Sequence, residues 1–152
     1  MKKSLLWIPF LGWAFFMLKM ITIDRATSKK ALLEVVRKGK ERLKAGYWVV
    51  IFPEGTRISP GEKGTYKAGG AQLAVSSGVK AVPVAHDAGR FWAKNAFVKK
   101  PGLITVSIGP AIDTAGKKAH AVNALAEEWI EAEMLRIATH EPPTDVRRPS
   151  AD

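Results

Sequence analysis

Residues 47–57 read YWVVIFPEGTR. Apolar and aromatic residues run without alternation from Tyr47 to Phe52, and Pro53 ends the run. A short apolar run of this kind is expected to form a central strand covered on both faces. Behind it come Glu54, Gly55, Thr56 and Arg57. A buried strand that ends in a polar turn can aim side chains at a ligand from a rigid base. Arg57 offers a planar fork of donors that matches phosphate or carboxylate oxygens. Gly55 gives backbone access, or a positive φ that other residues resist. Glu54 can accept hydrogen bonds from loop N–H groups, orient Arg57, or bind a ligand hydroxyl. Lys63 and Lys67 follow in the same loop, so a dianionic group there would meet several cations. Each charge-assisted hydrogen bond is worth about 1.5–3 kcal/mol. The competing reading is a structural turn closed by a Glu–Arg pair.

Working outward, the chain reads as alternating helices and strands. Upstream, a helix is expected over 27–45. Thr27 or Ser28 caps it, Leu32, Val35, Val36, Gly39 and Leu43 share a face, and Gly46 stops it. Its many lysines and arginines form a solvated face, or help the protein lie on anionic lipid. Downstream, the small residues of 69–77 (GGAQLAVSS) form a short helix closed by Gly78. Strands are expected over 79–85 and 103–108, with an aromatic-containing loop over 87–102. A long amphipathic helix follows over 117–138, with Val122, Leu125, Trp129, Ala132 and Met134 among its apolar positions. The pattern is α/β. Residues 140–152 (HEPPTDVRRPSAD) hold almost nothing apolar and are expected to be a disordered tail. The remainder, 1–139, reads as one domain.

Composition narrows the partners. The chain has 152 residues, 24 Lys+Arg against 14 Asp+Glu, and a formal net charge of +10. That surplus favours an anionic partner: nucleic acid, an anionic membrane surface or a phosphorylated small molecule. There is no cysteine, which excludes disulfides, a thiol nucleophile and Cys-ligated metal. At the N-terminus, Lys2 and Lys3 precede an apolar segment over 4–23. Its run of 5–18 is interrupted by Pro9 and Gly12 and is short beside the roughly 20 residues a spanning helix needs. Its tryptophans and phenylalanines suit the headgroup boundary, so an interfacial or core-packed segment is expected in preference to a signal or spanning one.

FPEGTR at residues 52–57, behind its apolar strand, resembles the signature of the glycerolipid acyltransferases, with bacterial 1-acylglycerol-3-phosphate acyltransferases the nearest in pattern. LLWIPFLGW at 5–13 is similar to the apolar segment between that family's first two motifs. ITIDR at 21–25 resembles the second motif, YKAGGAQLA at 66–74 the lysine-and-glycine stretch after FPEGTR, and VPVAHDAGRFW at 82–92 the proline-centred fourth motif. The resemblance implies a central, mainly parallel sheet flanked by helices. It implies Arg25, Arg57 and Lys67 on the acceptor's phosphate, with Glu54, Gly55 and Thr56 shaping the pocket. It further implies acyl transfer to a lysophospholipid, 1-acylglycerol 3-phosphate, giving phosphatidic acid. The donor would be an acyl thioester, acyl-CoA or acyl carrier protein, used as co-substrate with no cofactor and no metal. The place of work would be the cytoplasmic face of the inner membrane, with the protein peripheral or monotopic.

One departure is large. The family opens with NHxxxxD, whose His acts as general base on the acceptor hydroxyl and whose Asp orients that His. A positioned base of this kind is worth roughly 10²–10⁴-fold. Here His86 has Phe91 at the aspartate position and reads as a packed or hydrogen-bonded strand-end histidine. His120 has Leu125 there, inside the long helix. His140 does have Asp145, but in the proline-rich tail after all the other motifs. No residue of this chain is therefore expected to be the catalytic dyad. The expectation is a fragment resembling the C-terminal part of a longer enzyme. The alternative is a non-catalytic lysophospholipid-binding or membrane-surface module. Nucleic acid is suggested by charge alone, without any of the usual motifs, and is not expected.

Overall fold

The computed structural model describes residue 21, residues 28–94 and residues 96–139. The apolar segment expected over 4–23, apart from Ile21, lies outside the described residues, as do Arg25 and the tail over 140–152.

Helix α1 (Ser28–Lys44) ends with Arg42 and Lys44 in its last turn, where cations meet the negative end of the helix dipole. Gly46, at φ 80°, then reverses the chain. Helix α2 (Gly69–Ser77) is closed by Gly78 at φ 64°, whose N–H reaches the Val75 carbonyl while Val79 N–H reaches Ala74. This paired closure needs a left-handed residue, which glycine adopts without strain. The two helices pack face to face. Gly39 of α1 is the point of closest approach: a Cβ there would run into the buried side chain of Leu73.

Strand β1 (Val84–His86) pairs antiparallel with β2 (Val106–Ile108), in the register Val84 to Ile108, Ala85 to Ser107 and His86 to Val106. An isolated bridge between Ala81 and Ile112 continues the pairing. One-turn helix α3 (Ala88–Phe91) lies in the connection. The long helix α4 (Ala119–Thr139) packs on α2 and on β1. The core lies between these elements: Ala71, Leu73 and Ala74 of α2, Ala85 of β1, and Val122 and Ile137 of α4. Val122 is only 1% exposed. At the sheet end, Gly109 lies under the Trp129 indole, so close that a Cβ would stand 2.6 Å from the ring.

Helices with a small sheet agree with the α/β class. The ladder among the described residues is antiparallel; the parallel strands that the resemblance implies are not among them. Asp87 N–H donates to Thr105 O, and Thr105 N–H donates to the Asp87 carboxylate at 2.8 Å. These bonds bring both ends of the connection to one end of the pair, which antiparallel strands allow and parallel strands do not. The expected strand over 47–52 needs correction. It has no ladder partner among the described residues. Ile51 turns inward over Gly70, while Trp48 (88% exposed), Val50 and Phe52 face outward. Apolar sequence signals burial, but a ladder also requires a neighbour to take each N–H and C=O. The two expected strands at 79–85 and 103–108 shrink to their paired cores for the same reason. Helices expected over 27–45, 69–77 and 117–138 match α1, α2 and α4 within a residue or two. Among the described residues no helix is long and apolar enough to cross a membrane.

Candidate functional site

Behind residue 52 the chain turns sharply. Gly55 N–H donates to the Phe52 carbonyl at 3.1 Å, with Gly55 at φ 67°. A side chain at this φ would be strained, so the turn selects glycine. Lys67 N–H donates to the Pro53 carbonyl at 2.9 Å and closes the loop over 53–67 at its base. The Lys67 side chain folds back over the turn. A Cβ on Gly55 would stand 2.9 Å from Lys67 Nζ and 3.5 Å from its Cδ and Cε. The missing side chain at 55 therefore makes room for an ammonium group. Thr56 and Arg57 follow directly and are exposed.

Glu54 sits on the inner side of the turn. Its Cγ lies close to Gly64, where a Cβ would be 3.1 Å away. Burial raises the pKa of its carboxyl above the ordinary 4.5; Glu131 raises it further, and His86 opposes the shift. Glu54 thus senses both the end of β1 and helix α4. The loop is tied to that helix along one stripe. Tyr66 Oη donates to Glu131 Oε1 at 2.9 Å. Lys63 Nζ pairs with Glu127 Oε1 at 2.9 Å. Asn123 Nδ2 donates to the Tyr66 carbonyl at 3.5 Å. Positions 123, 127 and 131 recur at helical spacing and so line one face of α4. Burial, and then the hydrogen bond to Glu131, push the Tyr66 phenol above its usual range.

Of the residues expected at the site, Glu54, Gly55, Thr56, Arg57 and Lys67 come together on one turn. Arg25 lies outside the described residues. The Lys63 ammonium, expected in the same loop, is paired with Glu127 of α4. His86 matches the strand-end reading: its Nδ1 accepts the Ala88 N–H at 3.3 Å. His120 stands exposed near the start of α4. The sequence reading missed the stripe of Asn123, Glu127 and Glu131. Their spacing was visible, but nothing in it said which loop they would face. Chemically, the turn offers the Lys67 ammonium beside a glycine backbone, on a segment that also carries the exposed Arg57 and the half-buried Glu54. Such an arrangement suits a phosphate carried on a polyol.

The model of the family described as Acyltransferase matches residues 1–87. The 1-acyl-sn-glycerol-3-phosphate acyltransferase of Pseudomonas aeruginosa is 45% identical over 141 residues, which cover 91% of this chain and 55% of that protein. The 1-acyl-sn-glycerol-3-phosphate acyltransferase of Escherichia coli is 40% identical over 86 residues, covering 55% of this chain and 34% of that one. The crystal structure of the 1-acyl-sn-glycerophosphate (LPA) acyltransferase PlsC from Thermotoga maritima matches with a TM-score of 0.76 at 26% identity, covering 93% of this chain and 56% of that one. The chain spans about half the length of the first of these relatives and of the solved structure.

Proposed function

Because the chain belongs to the acyltransferase family, we propose that its turn at Glu54, Gly55, Thr56 and Arg57, with Lys67, holds the phosphate of 1-acylglycerol 3-phosphate. The observation that carries this reading is the Lys67 side chain folded over Gly55, which adds a second cation to the turn bearing Arg57. The resemblance adds Arg25 as a third.

The reaction served is acyl transfer to the acceptor's free hydroxyl. The hydroxyl oxygen bonds to the thioester carbonyl carbon, the carbon–sulfur bond breaks, and the hydroxyl proton ends on the released thiol. The products are phosphatidic acid and free coenzyme A or acyl carrier protein. The chemistry uses the acyl thioester as co-substrate and no further cofactor. Fixing the phosphate positions the hydroxyl, a contribution distinct from activating it. Activation needs a base. Neither His86 nor His120 has an aspartate five residues on, so the base is assigned to no described residue. That same observation favours a second reading, a module that binds lysophospholipid without transferring the acyl group. In both readings the protein works at the cytoplasmic face of the inner membrane, drawn there by its net charge of +10.

Thiol release from acyl-CoA in the presence of lysophosphatidic acid tests the base assignment. This chain alone is expected to bind the acceptor without releasing thiol; release that survives His140→Ala would place a working base among the residues passed over. Arg57→Ala tests the phosphate site. Losing one charge-assisted pair should weaken lysophosphatidic acid binding by about tenfold or more. Unchanged affinity would remove Arg57 from the site.

A further inference from the structure

We propose that the connection between α3 and β2 carries a membrane-docking tip that seats Phe97 and Val98 in an anionic bilayer surface. It goes beyond the acyl-transfer reading and does not depend on it. Phe97 is 101% exposed and Val98 73% exposed, and Trp92 is exposed beside them. Two adjacent, largely exposed apolar side chains with an aromatic neighbour are a contact surface rather than scattered surface residues. The tip is held in place. Trp92 Nε1 donates to the Ala96 carbonyl at 3.1 Å, and Lys100 N–H donates to the Phe91 carbonyl at 2.8 Å. The Phe91 ring fills the space that a side chain at Gly102 would take.

Charge decides what the tip fits. From residue 88 to residue 112 there is no Asp or Glu, while Arg90, Lys94, Lys99 and Lys100 all flank the tip. Arg90 is partly answered by Asp87 at 3.6 Å. Lys99 lies over the Trp92 ring, 4.4 Å from its centroid. Lys94 and Lys100 are exposed and have no ion-pair partner among the described residues. Aromatic and aliphatic groups at a tip, ringed by long cationic side chains, match the layering of a bilayer surface. The rings and Val98 enter the acyl boundary, and the ammonium groups stay at the level of anionic headgroups. Leu103 and Ile104, both exposed just beyond, extend the apolar strip toward β2.

The chain has no cysteine, so Phe97→Cys gives a single labelling site on the full chain, at a side chain that supports no core. An environment-sensitive dye there should shift to the blue, with emission rising roughly twofold or more, on adding equimolar phosphatidylcholine–phosphatidylglycerol vesicles. The same dye at Glu128→Cys, exposed on α4, should not respond. Lys99→Glu with Lys100→Glu should reduce the response at position 97. The proposal is overturned if the dye at 97 stays silent, whether or not the protein sediments with the vesicles. It is also overturned if pure phosphatidylcholine gives the same response, or if duplex DNA without lipid does. Lysophosphatidic acid binding, measured separately without vesicles, reports on the turn at 54–57 and keeps the two readings apart.

Discussion

Gly55 and Lys67 form one device. The left-handed turn at 55 excludes a side chain, and the ammonium of Lys67 occupies the space. Gly55→Ala should therefore cost about 1 kcal/mol in backbone strain and displace Lys67, so acceptor affinity should fall more than stability does; titration of lysophosphatidic acid alongside urea unfolding separates the two. Glu54 carries a second residue-scale consequence. Its folded pKa lies above 4.5, so the native state holds this proton more tightly than the unfolded chain. Its contribution to stability is present below pH 4.5 and is lost as pH rises through the folded value. Glu54→Gln should make the protein at least as stable at pH 7 as the parent and flatten the decline of stability above pH 4.5, as read by denaturant midpoints across pH. The candidate residues were legible because FPEGTR names its own chemistry: a cation, a flexible backbone point and a carboxyl. The fold of Lys67 back onto Gly55 was not, because a lysine side chain has no directional signal in sequence.

At the scale of elements, α4 is the support of the loop over 53–67. Tyr66 to Glu131 is its half-buried tie, and Lys63 to Glu127 its exposed one. Exposed pairs contribute little, roughly 0–1 kcal/mol. The bond to a charged acceptor is worth about 1.5–3 kcal/mol. Tyr66→Phe should accordingly speed amide exchange across residues 54–67 while α1 stays protected, and Lys63→Ala should leave both nearly unchanged. If Tyr66→Phe leaves the loop's exchange as it was, α4 does not hold it. Helices were the readable elements, since Gly46 and Gly78 mark their ends chemically. The segment over 47–52 is not a strand because its apolar run specifies burial and cannot specify a hydrogen-bonding neighbour.

At the scale of the molecule, packing among the described residues depends on a few close approaches and leaves many large apolar side chains exposed. Gly39→Ala should lower stability by about 1–3 kcal/mol by overpacking the buried Leu73 side chain. Thermal unfolding reads it directly. Trp48, Val50, Phe52, Val84, Val106 and Ile108 are all exposed among the described residues. A folded chain with this much apolar surface should bind a hydrophobic reporter dye in its native state and stay soluble better in mild detergent. The α/β class was legible from the order of helices and strands. The extent of this exposure was not, because apolar residues look alike in sequence whether or not something lies against them.

Under the proposed function, the turn over 54–57, with Lys67, reads a phosphate. Calorimetric titration with 1-acylglycerol 3-phosphate and with the matching 1-acylglycerol, which lacks only the phosphate, tests it most directly. The predicted result is a clear preference for the phosphate-bearing lipid that disappears in Arg57→Ala combined with Lys67→Ala. Equal affinity for the two lipids, or a preference that survives the double substitution, would contradict it.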